Sequence, residues 1–253
     1  MTFTQLSAHN VLAEGSLPEY ERGMEFFYRE LVFLNTDIFI VEQILRFPLS
    51  LFATQDNTIF FGRVVDNFLN SGLLIVTKIA TDNGPDLYTI RGFRNRLFQL
   101  VRPEYQTDFR DILRQSRFDQ NTEDILGRAR ELRNGRIAHA TQALAFQIPE
   151  QDRIDFAELV QLRDALNAQL DALSFNTEHM MLPIPYNSRV ERRAGGNHST
   201  DIEEVLDAIA RNSTLLNMPE QEPQDWSFQR AALTGSQINH LNHYRRKFKL
   251  SEV

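Results

Sequence analysis

The chain has 253 residues, 42% of them hydrophobic and 24% charged, so it can build a sizeable core and is not a wholly disordered polymer. It contains no cysteine, which excludes disulfide scaffolds, thiolate metal sites, iron–sulfur clusters and cysteine nucleophiles. A formal charge of −7 argues against broad nonspecific coating of DNA but leaves room for a small basic site.

Strand signals are scarce, and no two alternating runs are joined by Asn-Gly or Asp-Gly. Helical spacing is common, and the pattern predicts an all-α, antiparallel helical bundle. Pro18 suits a first helical turn after Ser16, and apolar residues continue from Phe26 through Leu31, Leu34, Ile38 and Val41 to Leu45. Pro48 ends that helix. A second starts near Asn57 and stops before the Asp82-Asn83-Gly84-Pro85 turn. A third covers about 87–101 and a fourth about 105–117. A fifth runs from Asn121 or Thr122, with Asn121 and Asp124 where a cap and an N-terminal acid belong, through His139. A sixth covers about 150–173.

Beyond Phe175, Pro183, Pro185 and Gly195-Gly196 mark a long connection. A short helix at about 201–216, a polar proline-bearing stretch at 219–225 and a last helix near 237–250 follow. The expected organisation is therefore a helical domain over 1–176 and a C-terminal extension over 177–253. The start of the chain lacks the cationic and apolar regions of a signal peptide. The apolar stretch 26–44 carries charges, and 68–80 is about thirteen residues long, short of the roughly 20 of a membrane span. A cytoplasmic protein with no membrane partner is the expectation.

Charge is uneven. Residues 91–136 hold eleven arginines against seven acids, a net +4, and the following helix is acidic. Only Lys78, Lys247 and Lys249 are lysines, although an arginine-biased genome gives the same skew. The positive stretch ends in Glu131-Leu132-Arg133-Asn134-Gly135-Arg136-Ile137-Ala138-His139. Here the sequence resembles the HEPN superfamily, and more closely its abortive-infection branch. That superfamily's motif is an arginine, a polar residue that is often asparagine, a few more residues, then a histidine. Arg133, Asn134 and His139 match it, with Ile137 and Ala138 also typical of the branch. The resemblance covers about 15–176.

The resemblance implies a metal-independent endoribonuclease that needs no cofactor and works as a homodimer on RNA. Its biology would be that of a toxin or antiviral defence effector, with an antitoxin or regulatory protein as a further partner. His139 would be the acid–base group, since a histidine with a pKa near 6.5 can take the ribose 2′-hydroxyl proton and return one to the leaving 5′-oxygen. Arg133 would stabilise the phosphorane and Asn134 would orient the phosphate or the imidazole. Arg136 and Arg130 are candidate substrate-binding residues. On a straight α-helix Arg133 and His139 lie about 120° apart, and Gly135 permits a distortion between them. Two residues after the motif histidine, some HEPN toxins have a tyrosine that a partner nucleotidyltransferase modifies. Here Thr141 stands there, so that mode of control is not implied.

Other readings of the same residues stand open. His139 could complement a helix dipole, and Arg133 and Arg136 could pair with Glu131 or with the acidic helix. The domain could then be a noncatalytic scaffold binding RNA, a nucleotide or an acidic partner, or a purely structural dimer. His240 and His243, three apart on the last helix, lack a nearby acidic or cysteine partner in sequence and read as a solvated face rather than a metal site. Tyr244-Arg245-Arg246-Lys247-Phe248-Lys249 is a basic tail with aromatic residues, suited equally to an RNA backbone, an acidic partner or a plain charged terminus.

Overall fold

The computed structural model describes residues 6–81, 88–138, 154–175 and 201–253. Among them the all-α expectation holds, with no strand and one isolated bridge between Leu12 and Val101. The helices are α1 (Ala8–Val11), α2 (Leu17–Arg46), α3 (Leu49–Phe52), α4 (Gln55–Ala80), α5 (Ile90–Leu100), α6 (Gln106–Ser116), α7 (Phe118–Leu132) and α8 (Phe156–Leu173). A π-helical segment, Arg133–Ala138, continues α7. The later helices are α9 (Asp201–Asn212), α10 (Thr214–Gln221), α11 (Pro223–Ala232) and α12 (Gly235–Lys247).

Several boundaries differ from expectation for identifiable reasons. α7 begins at Phe118, not at Asn121, because Arg117 adopts a left-handed conformation (φ 49°) that separates it from α6. The backbone amide of Asn121 then donates to the Arg117 carbonyl at 2.9 Å, so Asn121 lies inside the helix. α8 begins at Phe156 because Asp155 and Glu158 form a capping box: the Glu158 amide donates to Asp155 at 2.8 Å and the Asp155 amide to Glu158 at 3.1 Å. The 201–216 helix is two helices, parted at Ser213, whose backbone is extended. The proline-bearing stretch is largely helical too, with Pro223 in the first turn of α11, where a missing N–H costs nothing.

Two compact units emerge, and neither follows the linear boundary at 176. One comprises the described residues of Met1–Ile38 and Phe68–Tyr186, the other those of Phe39–Asn67 and Asn187–Val253. In the first unit α2, α4 and α8 approach closely at Gly72, where a Cβ would lie 3.0 Å from Leu159 and 3.3 Å from Leu34. Along α2 and α4 the partners Glu30–Lys78 and Asp37–Ser71 run in opposite order, so this pair is antiparallel. Along α8 the partners are Phe109 with Phe175, Ser116 with Gln169, Asn121 with Gln161 and Arg128 with Glu158. α6 and α7 therefore form one broken helix lying antiparallel to α8. Leu159, Leu162, Leu166 and Leu170, spaced at three and four residues, bury the α8 side of that seam. Tyr20 closes the far end by donating to the Leu173 and Ser174 carbonyls.

In the second unit Ile44, Phe47, Phe52 and Phe61 share a core with Leu206, Leu216, Trp226 and Leu241. The C-terminal segment thus packs against residues between 39 and 67. Arg245 is fully buried in this unit and donates to the carbonyls of Leu216 and Ser251, while Asn242 exchanges two hydrogen bonds with Val253.

The apolar run at 68–80 is the second half of α4, the helix expected from near Asn57. By length and composition alone, Asn57–Ala80 is long and apolar enough to cross a membrane. Its Leu73, Val76, Ile79 and Ala80 are buried among other helices.

Removing the α8 cap tests the seam. Asp155→Ala should lower the unfolding free energy by about 1 kcal/mol, read as a lower urea midpoint by circular dichroism. An unchanged midpoint would show that the cap contributes nothing there.

Candidate functional site at the end of α7

The motif sits one turn beyond the last ion pair of the α7–α8 seam. Leu132 and Ala129 cluster with Leu73, and Ile154 packs against them. The chain then leaves α-helical geometry. Over Arg133–Ala138 the hydrogen-bonded ring takes in an extra residue, so successive side chains are re-phased relative to α7. The 120° separation derived for a straight α-helix therefore does not apply from 133 onward. The distortion includes Gly135, which is buried, while Asn134 is exposed and Arg133 half-buried. Arg133 Nε donates to Asn134 Oδ1 at 3.0 Å, which fixes two adjacent motif side chains relative to each other. Such π segments concentrate at functional sites because they present side chains that a regular helix would turn away.

The other candidates are distributed as follows. Arg130 is exposed in the last turn of α7, with no carboxylate partner among the described residues. Arg136 lies in the π segment by its backbone, and its side chain is outside the described residues. His139 and Thr141 also lie outside them, so Arg133 and Asn134 are the motif residues whose side chains are seen together.

Most arginines of the basic stretch are already engaged. Arg91 and Arg94 each hold one oxygen of Asp119 at 2.7 Å. Burial pushes the Asp119 carboxyl up, but the hydrogen bonds and charges of Arg94 and Arg91 outweigh it and hold the group below the usual range. Arg128 grips Glu158 at 2.5 Å and also pairs with Asp124 at 3.3 Å. The hydrogen bond from Arg128 is the main reason that the Glu158 carboxyl is lowered. Arg96 is paired with Glu19, Arg102 donates to the Leu12 carbonyl, and Arg110 lies over the Phe98 ring. Glu158 of the acidic α8 thus compensates Arg128.

No family model, curated protein or solved structure matches the chain.

Sequence reasoning missed a group of buried polar residues on α2. Glu30, Asn35 and Asp37 interrupt an apolar helix and are all buried. Lys78 neutralises Glu30 at 3.0 Å. Among the described residues, neither polar atom of the Asn35 amide has a hydrogen-bond partner. Burial pushes the Asp37 carboxyl up to about 6, opposed by a hydrogen bond with Ser71. Charged residues within an apolar run were visible in the sequence, but their inward facing was not. Among the described residues no group of three or more His, Asp or Glu side chains is placed to hold a metal.

Asp37 gives a pH prediction with a definite sign. Its folded pKa is above the ordinary 3.8, so the folded state keeps a proton that the unfolded chain has lost. Stability from this group is full below about pH 4 and falls as pH rises toward about 6. Asp37→Asn should remove that fall, so its urea midpoint should exceed the parent's at neutral pH and converge on it near pH 4. Parallel pH profiles for the two proteins would contradict the assignment.

Proposed function

We propose that the chain is a metal-independent endoribonuclease of the HEPN class, cytoplasmic and homodimeric, with the biology of a toxin or anti-phage defence effector. The observation that carries this reading is the Arg133-Asn134…His139 string at the π-helical end of a long helix, with Arg133 and Asn134 hydrogen-bonded and reaching solvent. His139 takes the ribose 2′-hydroxyl proton, the 2′-oxygen attacks the adjacent phosphorus, and the 5′-oxygen leaves as it is protonated. Arg133, charged at every working pH, stabilises the dianionic phosphorane, and Asn134 orients the group it contacts. A dimer would bring a second His139 to the shared cleft, one for each proton transfer. Exposed Phe33, Leu74 and Tyr88 in the same unit are suited to such a contact. Arg130 and Arg136 would hold the flanking phosphates.

The engagement of Arg91, Arg94, Arg96 and Arg128 with carboxylates favours a second reading. In it, a structural arginine stretch leaves a noncatalytic module that binds RNA, a nucleotide or an acidic partner.

Cleavage of total RNA in EDTA separates the two. His139→Ala should lower the rate by about 10²–10⁴-fold while sedimentation and circular dichroism stay as in the parent. Arg133→Ala should cost about 10²–10³-fold. Parent-like cleavage by His139→Ala, or no cleavage by the parent, would overturn the nuclease reading.

A further inference from the structure

The second unit contains a basic cavity that the motif chemistry does not use. It has a volume of about 340 Å³, is open to solvent, and lies between the end of α9, the start of α10 and the chain after α12. Arg211, Lys247 and Lys249 line it, together with Asn217, Phe248 and two leucines, and among the described residues no carboxylate does. In a chain of net charge −7, it holds two of the three lysines.

Each cation has a distinct setting. The Arg211 guanidinium lies 4.8 Å above the Phe248 ring, a stacked position that orients its fork without neutralising it. The Asn217 side chain ties this corner by donating to the Arg211 and Ser213 carbonyls, both at 3.1 Å. Lys247 is partly compensated, since Asp207 accepts from it at 2.7 Å. Neither Arg211 nor Lys249 has a carboxylate partner among the described residues.

All three cations belong to helix C-terminal ends, and the fold converges them on one cavity. Arg211 and Lys247 lie in the last turns of α9 and α12, where cations offset the dipole of any helix. Lys249 is past the end of α12 and adopts a left-handed backbone (φ 61°), which disfavours side chains other than glycine and asparagine. The turn is held by the Lys249 amide on the Arg246 carbonyl at 3.1 Å and the Leu250 amide on the Arg245 carbonyl at 2.8 Å. These bonds are those of an ordinary helix C-terminal turn, which places the Lys249 side chain beside Arg211 and Lys247 at the cavity. The neighbouring cavity of about 350 Å³ has His240, His243 and Arg46 but also Glu203 and Asp207, and these carboxylates would repel a phosphate.

We propose that the Arg211–Lys247–Lys249 cavity binds a backbone phosphate of single-stranded RNA, as an anchor separate from the Arg133–Asn134 site. The identity of the strand rests on the ribonuclease reading. Arg211 offers paired N–H donors to two phosphate oxygens, and the two ammonium groups supply point charges.

The experiment is fluorescence anisotropy with a labelled 20-nucleotide RNA of mixed sequence in EDTA, using full-length His139→Ala protein so that the probe stays intact. Arg211→Gln combined with Lys249→Asn, the asparagine chosen to tolerate the backbone, should weaken binding about tenfold at low salt. It should also flatten the salt dependence by about 0.7, the slope expected of one phosphate that the protein no longer neutralises. Lys249→Asn alone, with the parent's melting temperature, should give part of that weakening. Parent-like affinity and salt slope in the double variant would overturn this proposal, even if the parent cleaves RNA. Failure of His139→Ala protein to bind the RNA at all would overturn it too. Cavity-dependent binding without cleavage by the parent would uphold it while removing the nuclease reading.

Discussion

The seam between α8 and the broken helix α6–α7 is the contact on which the first unit depends. Four leucines of α8 bury one side of it, and Phe109, Phe118, Ile125 and Leu126 supply the other. Polar contacts fix the register that apolar packing leaves loose. Gln169 meets Ser116 of α6 at one level and Glu158 meets Arg128 of α7 at another, so the broken helix α6–α7 cannot slide by a turn along α8 without breaking both. That register decides where α7 ends, and therefore where Arg133 and Asn134 reach solvent.

Charge in this unit is divided between holding the fold and leaving a site. The stretch from 91 to 136 has a net +4, and Asp119, Glu19 and Glu158 pair with four of its eleven arginines. Half-exposed pairs of this kind contribute little individually.

The periodic signals of α2, α4, α6 and α8 were legible because their apolar positions recur at three and four residues. The start of α7 was not, since it depends on the left-handed backbone of Arg117, a residue type with no preference for that conformation. Pro219–Asp225 resisted for the opposite reason: prolines that usually mark a loop here lie within one helix and at the start of the next. For the site, the string and the possibility of distortion at Gly135 were visible from residue types. The π geometry and the Arg133–Asn134 hydrogen bond were not, because residue types alone fix neither the helix class nor the side-chain conformations. The basic tail was visible as a run, but Arg211, far away in sequence, was not, and only the fold places it beside Lys249.

The second unit joins residues between 39 and 67 to residues after 201 in one core. During synthesis its first half leaves the ribosome well before its second half exists. Ile44, Phe47, Phe52 and Phe61 must then wait, unburied by their final partners, while the helices of the first unit are made. Exposed apolar surface of this kind attracts chaperones and other nascent chains. The order of assembly is thereby set by topology: the first unit can close early, and the second only once the residues after 201 have been made.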